Sequence, residues 1–316
     1  MPSPKHSLLR CLLKNKAKPD DILFRGEGKI MLLNVHHTTT YTYDHPVSLE
    51  PHRLRLTPRS DGYGSLLERE LNITPKPSYI NASVENDGSI SHWVGFAGET
   101  KKFIVESNFT VSLTMEKNPF DYLIFPGSCL NLPMIYPPEV FHELRAFLIM
   151  DNIAPQVRNF AMETLTDAKG NTIDFLVLLS QRMKRDFVYE FRHAGAPYQP
   201  DDTLLSKRGS CRDWAILYMA AANAVGLAAR FVSGYYFDEN PKAPDLHAWV
   251  EVYIPGGGWR GFDPSLGLAC YGHHIALASS SVASGAAAIQ GTFKGYAHSE
   301  MKLELEYRYS SMPVAS

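Results

Sequence analysis

Cysteine is scarce in this chain: there are four in 316 residues, at positions 11, 129, 211 and 270. None forms a Cys-x-x-Cys pair and their spacing is irregular, which argues against a disulfide framework and against a cysteine-based zinc site. An excess of one charge is also missing. With 31 Lys and Arg against 33 Asp and Glu the formal net charge is -2, so the chain lacks the basic surplus that phosphate backbones or anionic lipids demand. No run approaches the about 18 uninterrupted apolar residues of a membrane span. The apolar stretch near the amino terminus is interrupted by Arg10 and is too short for a secretory leader. Neither a glycine-rich phosphate loop ending in Lys-Ser/Thr nor a calcium loop of spaced Asp and Asn closed by Glu is written in the sequence. These gaps lead to the expectation of a cytoplasmic protein with no nucleic-acid partner, no membrane partner and no cofactor.

What is present is enough apolar material for two domains: 45% hydrophobic and 11% aromatic residues. Residues 1–30 carry seven Lys and Arg against three acids with no lasting period, and read as a basic flexible arm; Met31, which opens the first strand-like run, is a candidate internal start. From 31 to 118 the runs are rich in Thr, Tyr and Val, with Asn86-Asp87-Gly88 suited to a tight hairpin, so a β-sandwich-like amino-terminal domain is expected. A proline-rich connector follows at 119–138. Over 139–308 helical three-to-four spacing gives way to alternating strands, the last of them 301–309, expected in one antiparallel sheet packed on the helices. Residues 309–316 read as a tail. The fold class is therefore α+β, and the Ala and Ser run at 276–288 reads as a loop or short helix rather than a site.

Chemistry concentrates at Gly209-Ser210-Cys211-Arg212-Asp213-Trp214. Ser210 followed three residues later by Asp213 is a capping box, which opens a helix that Gly226 closes and puts Cys211 in its first turn. The positive end of a helix dipole stabilises a thiolate, and an imidazolium beside it does more. A small buried cysteine is more often core packing, the reading kept for Cys11, Cys129 and Cys270.

His247 lies on a strand whose alternation buries Leu246, Ala248, Val250 and Val252 and places His247 with Trp249, Glu251 and Tyr253 on the other face. Asp263, before Pro264, ends the next strand. If Ile254 lies opposite Trp259, Asp263 lands on the wrong face. If Tyr253 faces Trp259, Asp263 faces Trp249 and is diagonal to His247 at about 7–8 Å in backbone terms. A catalytic pair requires the second register. His36, His37, His273 and His274 read as structural, with no ligand residue at metal spacing beside them.

The ordered motifs Gly-Ser-Cys-Arg-Asp-Trp at 209–214, His-Ala-Trp-Val-Glu-Val-Tyr at 247–253 and Gly-Trp-Arg-Gly-Phe-Asp-Pro at 258–264 resemble the bacterial transglutaminase-like cysteine proteases. The likeness extends over 31 to about 308, including the β-rich part before the core. It implies a papain-like catalytic core in which Cys211 attacks an acyl carbon, His247 moves the proton and Asp263 holds the imidazole. The Cys211 amide is the expected oxyanion donor; Tyr189 is a candidate second one, and Tyr235 and Trp249 are candidates for the substrate pocket. After Ile275 the chain departs from the family pattern, with an Ala and Ser run where an arginine and an acidic, aromatic segment are expected. The implied activity is that of a thiol-dependent peptidase or amidase on a peptide or amide substrate. Transfer to an amine through the same thioester is the alternative, and a non-catalytic binding module is the third reading.

Overall fold

The computed structural model describes residues 30–114, 117–148, 153–192, 195–237 and 245–311. Apart from Ile30, the expected arm, with Cys11, lies outside these residues. The amino-terminal half forms six strands: β1 (Ile30–Leu49), β2 (His52–Thr57), β3 (Gly64–Thr74), β4 (Tyr79–Val84), β5 (Ile90–Gly95) and β6 (Thr100–Thr114). β1 and β6 pair antiparallel along nearly their whole length, from Ile30 opposite Thr114 to Thr42 opposite Lys102. β6 alternates strictly, with Phe103, Val105, Phe109, Val111 and Leu113 pointing inward, the period-2 pattern of a half-buried strand. β2, β5 and β4 form a second sheet, its β4–β5 hairpin turning at Asn86-Asp87-Gly88 as expected. The side chains of Leu33, Leu54, Phe103 and Val94 fill the space between the two sheets.

After an irregular stretch come five helices: α1 (Pro138–Leu148), α2 (Pro155–Asp167), α3 (Thr172–Asp186), α4 (Pro200–Ser206) and α5 (Cys211–Ala224). Two short strands, β7 (Val188–Tyr189) and β8 (Arg208–Gly209), pair in parallel. The remaining strands are β9 (Ala229–Tyr236), β10 (Leu246–Ile254), β11 (Gly258–Asp263), β12 (Leu268–Ala269), β13 (His274–Ser280), β14 (Ile289–Gln290), β15 (Phe293–Lys294) and β16 (Ser299–Ser311). The sheet of the carboxy-terminal half runs β12-β11-β10-β9-β13, all antiparallel. One face, through Ala248, Val250, Val252 and Phe262, packs on Trp214, Leu217 and Tyr218 of α5 and on α3. Farther along the same face, Tyr235 and Ile275, with Phe237 and Leu277 beside them, join the core of the amino-terminal sandwich, while His247, Trp249, Glu251 and Val232 lie on the other face.

The two halves are bound by more than apolar contact. Arg59, beyond β2, pairs with the buried Glu251 of β10, whose second oxygen accepts Arg230 Nε at 2.7 Å. Burial works against this carboxylate, but the two guanidiniums hold its pKa below the usual range.

Two expectations are corrected. The strand expected to close the catalytic sheet at 301–309 is β16, which runs on to Ser311 and pairs with β1 from Met31 opposite Ser311 to Tyr43 opposite Ser299. The catalytic unit expected over 139–308 therefore gives up its end to the amino-terminal sheet, where the exposed edge of a 20-residue β1 needs a partner. The Ala and Ser run is not one loop either: 274–280 is a buried strand on β9, and only 283–286 turns, as a 3-10 segment.

Candidate functional site

Ser210 caps α5 as the sequence predicts. Its N–H and its hydroxyl both donate to Asp213 Oδ2 at 2.7 Å. Asp213 Oδ1 accepts the Tyr198 N–H at 2.7 Å and the Arg192 guanidinium, which ties the loop before α4 to the helix start. A Cβ at Gly209 would sit 2.8 Å from Asp213 Cβ, so only glycine lets β8 run so close to the cap. Cys211 is therefore the first residue of a capped helix, 8% exposed, with its amide among the first-turn N–H groups that have no partner within the helix.

β10 brings His247 to this point and β11 brings Asp263. Tyr253 pairs with Trp259 and Val250 with Phe262, the register in which Asp263 continues opposite Trp249 on the His247 face. His247 Nε2 lies 2.7 Å from Asp263 Oδ2. A carboxylate only accepts, so this nitrogen carries the proton and Nδ1 is left for the Cys211 thiol, with which the ring interacts. Gly234 stands opposite His247 on β9; a Cβ there would come 2.5 Å from the Trp249 ring, which lies behind His247 at 6.2 Å between centroids.

The sequence reading missed one member. His274, at the start of β13, places Nε2 3.1 Å from the same Asp263 Oδ2, while Asp263 Oδ1 accepts Ser265 N–H at 2.9 Å, Ser265 Oγ–H at 2.7 Å and Leu266 N–H at 3.2 Å. Only the order of strands, which sets β13 on β9 beside β10, makes His274 a neighbour, and nothing local in the sequence signals it. One ring nitrogen each of His247 and His274 and an Asp263 oxygen lie within 4.8 Å of one another, close enough for a divalent ion. As they stand, both nitrogens must be protonated to bond the carboxylate, so the cluster holds protons.

The electrostatics single out Cys211. Burial pushes its thiol up, but interactions with His247, the Tyr189 hydroxyl and the Ala248 amide outweigh it and bring the pKa down. Burial, helped by the nearby carboxylates of Asp263, Glu251 and Asp61, pushes Cys270 well above the ordinary thiol value, and burial raises Cys129 too. His247 loses basicity to burial and regains more from Asp263 and Cys211, ending at about 10. Asp263 is held far below the usual carboxylate range, its burial overcome by His247 and His274. His274 goes down because of burial and stays neutral at pH 7.

Cys211 and His247 open into a cleft of about 380 Å³ between the β9–β10 sheet and the amino-terminal sheet. Phe231, Ala286, Ala288, Met301 and Leu303 give it an apolar lining, and the Ala run that reads as featureless in sequence forms one wall. Tyr189 lines it as well: β7 pairs Tyr189 with Gly209, two residues before Cys211. Tyr235 does not reach the cleft. It shares a face of β9 with the cleft-lining Phe231 and Ser233 but lies farther along the strand, fully buried beneath His37 and Phe109 of the amino-terminal sheet, with its hydroxyl 2.9 Å from His37 Nδ1. Trp249 is likewise absent from the cleft; at 2% exposure it braces His247 and His274 from behind and borders a second, rear cavity. Among the described residues no helix is long and apolar enough to cross a membrane.

Residues 33–112 match the bacterial transglutaminase-like N-terminal region, and residues 158–264 match the transglutaminase-like superfamily core. An uncharacterised protein of Mycobacterium tuberculosis is 28% identical over 247 residues, 73% of this chain and 77% of its own length. A Pseudomonas aeruginosa protein-glutamine gamma-glutamyltransferase is 31% identical over 126 residues, 36% of this chain and 19% of the relative. The crystal structure of a candidate cysteine protease from Cytophaga hutchinsonii superposes with a TM-score of 0.65 at 22% identity, covering 91% of this chain and 92% of that one, so the two share a fold. With both regions in order around one papain-like α+β core, the chain belongs to the transglutaminase-like superfamily.

Proposed function

We propose that the chain is a thiol-dependent acyl hydrolase that cleaves peptide or amide bonds through a thioester on Cys211. The observation that carries this reading is the convergence of a helix-terminal thiol, His247 and the buried Asp263 in one cleft. Cys211 gives its proton to His247 Nδ1 and attacks the acyl carbon, forming a C–S bond and an oxyanion. The Cys211 amide and the Tyr189 hydroxyl are the donors assigned to that oxyanion. Collapse breaks the C–N bond as His247 returns the proton to the leaving amine. Water, deprotonated by His247, then attacks the thioester; the C–S bond breaks, the carboxylic acid leaves and the thiol is restored. The apolar lining favours an acyl portion that is itself uncharged.

An amine in place of water would complete an acyl transfer by the same steps. The likeness over the core to a glutamyltransferase supports that second reading. Water at about 55 M must be kept out for transfer to prevail, and hydrolysis is preferred for that reason.

The test is iodoacetamide alkylation followed by intact mass against pH, on the native chain, Cys211→Ala and His247→Ala. We expect fast single-site labelling that persists below pH 7, vanishes in Cys211→Ala and moves toward alkaline pH in His247→Ala. A slow, ordinary thiol profile indifferent to His247→Ala would overturn the proposal.

A further inference from the structure

Asp263 is fully buried, and a buried carboxylate is tolerable only when its lone pairs are filled. Three donors from the turn after β11 occupy Oδ1, so the side chain cannot rotate to exchange its oxygens without losing them. Oδ2 faces two imidazoles, His247 at 2.7 Å and His274 at 3.1 Å. We infer that His274 is a positioning residue for the reaction proposed above: its Nε2–H fills the second lone pair of Asp263 Oδ2, keeping that carboxylate ionised and aimed at His247. It does so from a fixed ring, packed edge-on against Trp249 with centroids 5.2 Å apart and against Tyr236 at 4.9 Å. The same indole stacks on His247, so one side chain braces both imidazoles.

Neutral His274 supplies a hydrogen bond without a second positive charge beside the imidazolium that forms on His247. The charged and titratable groups around it are Asp263 and His247 in front and Tyr236, Tyr271 and His273 alongside. Across the rear cavity of about 300 Å³ stand Glu251 with Arg59 and Arg230, and Asp61, Asp87, Arg260 and Cys270. Glu251 is neutralised by its two arginines, which leaves Asp263 as the anion His274 touches. Without the His274 donor the buried Asp263 is harder to ionise, the imidazolium loses its counter-charge, and the thiolate of Cys211 becomes less populated at acid pH.

The experiment compares the alkylation–pH profile of Cys211 in the native chain, His274→Phe, which keeps a ring but no donor, and His274→Gln, which restores an N–H donor. We expect His274→Phe to move the acid limb up by about one pH unit, lowering labelling at pH 6 about ten-fold, and His274→Gln to recover most of that loss. Labelling in His274→Phe that follows the native profile overturns the inference, and so does an equal shift in both variants, since a packing role would not distinguish them. A native chain without acid-pH labelling would instead sink the catalytic reading itself. Should His274→Phe not fold, ring-nitrogen NMR of the ¹⁵N-histidine native chain decides: a neutral His274 protonated at Nε2 is expected, and the Nδ1–H tautomer or a cation overturns the inference.

Discussion

His247 Nε2 stands 2.7 Å from Asp263 Oδ2 because Tyr253 pairs with Trp259 across the β10–β11 hairpin. Slipping that pairing by one residue would turn the carboxylate to the helical face. Asp263→Asn keeps the size and removes the charge, so the imidazolium loses its partner and the tautomer its anchor. Acylation of Cys211 by a p-nitrophenyl ester should fall by about 100-fold or more in this variant. Stopped-flow release of nitrophenolate measures it, and a loss below about three-fold would mean that Asp263 serves folding alone.

Tyr189 contacts the thiol through its hydroxyl, and β7–β8 pairing fixes its backbone beside Gly209. Tyr189→Phe retains the ring contact with Trp214 while deleting the donor. A fall in kcat of roughly 10 to 1,000-fold with little change in KM is expected if the hydroxyl serves the oxyanion. A rise in KM at constant kcat would place it in substrate binding instead.

The cleft wall formed by the Ala run faces Met301 and Leu303 from β16. Acylation should therefore quicken from p-nitrophenyl acetate to butyrate to hexanoate, by up to about three-fold per added methylene. Met301→Glu, a change at a half-exposed position, should flatten that slope. Equal rates for the three esters in the native chain would show that the acyl group does not enter the apolar lining.

Stability should depend on pH through His247. Burial lowers its pKa and Asp263 and Cys211 raise it further, to about 10 in the folded chain, against about 6.5 when unfolded. A raised pKa means protons bind the folded state more tightly, so the contribution is complete below about 6.5 and is lost as pH rises toward 10. In a Cys211→Ala background, where the thiol neither titrates nor raises His247, the window still opens at about 6.5 but closes below 10; Tm should decline across it, and His247→Phe in the same background should decline less. Parallel curves for the two proteins would contradict the raised value.

Much of the site was legible because its signals are local. A capping box needs four residues, which suffices to put Cys211 at a helix start. Strand alternation needs three or four, and it put His247 and Asp263 on one face once the hairpin register was chosen. The sandwich strands and the Asn86-Asp87-Gly88 turn were readable for the same reason. Tyr235 was misplaced because it shares a face of β9 with the cleft-lining Phe231 and Ser233, and only the packing of His37 and Phe109, distant in the chain, covers it.

By itself, then, the sequence determined that Cys211 starts a capped helix and that His247 and Asp263 lie on adjoining strands, since each of these is specified by neighbours along the chain. Tertiary structure alone decided that β13 lies against β9 and so brings His274 to Asp263. It also decided that β16 returns to β1 and that the Ala run closes the cleft. These are contacts between segments far apart in the chain, chosen by which edges and apolar faces remained to be covered, and no local pattern encodes that choice.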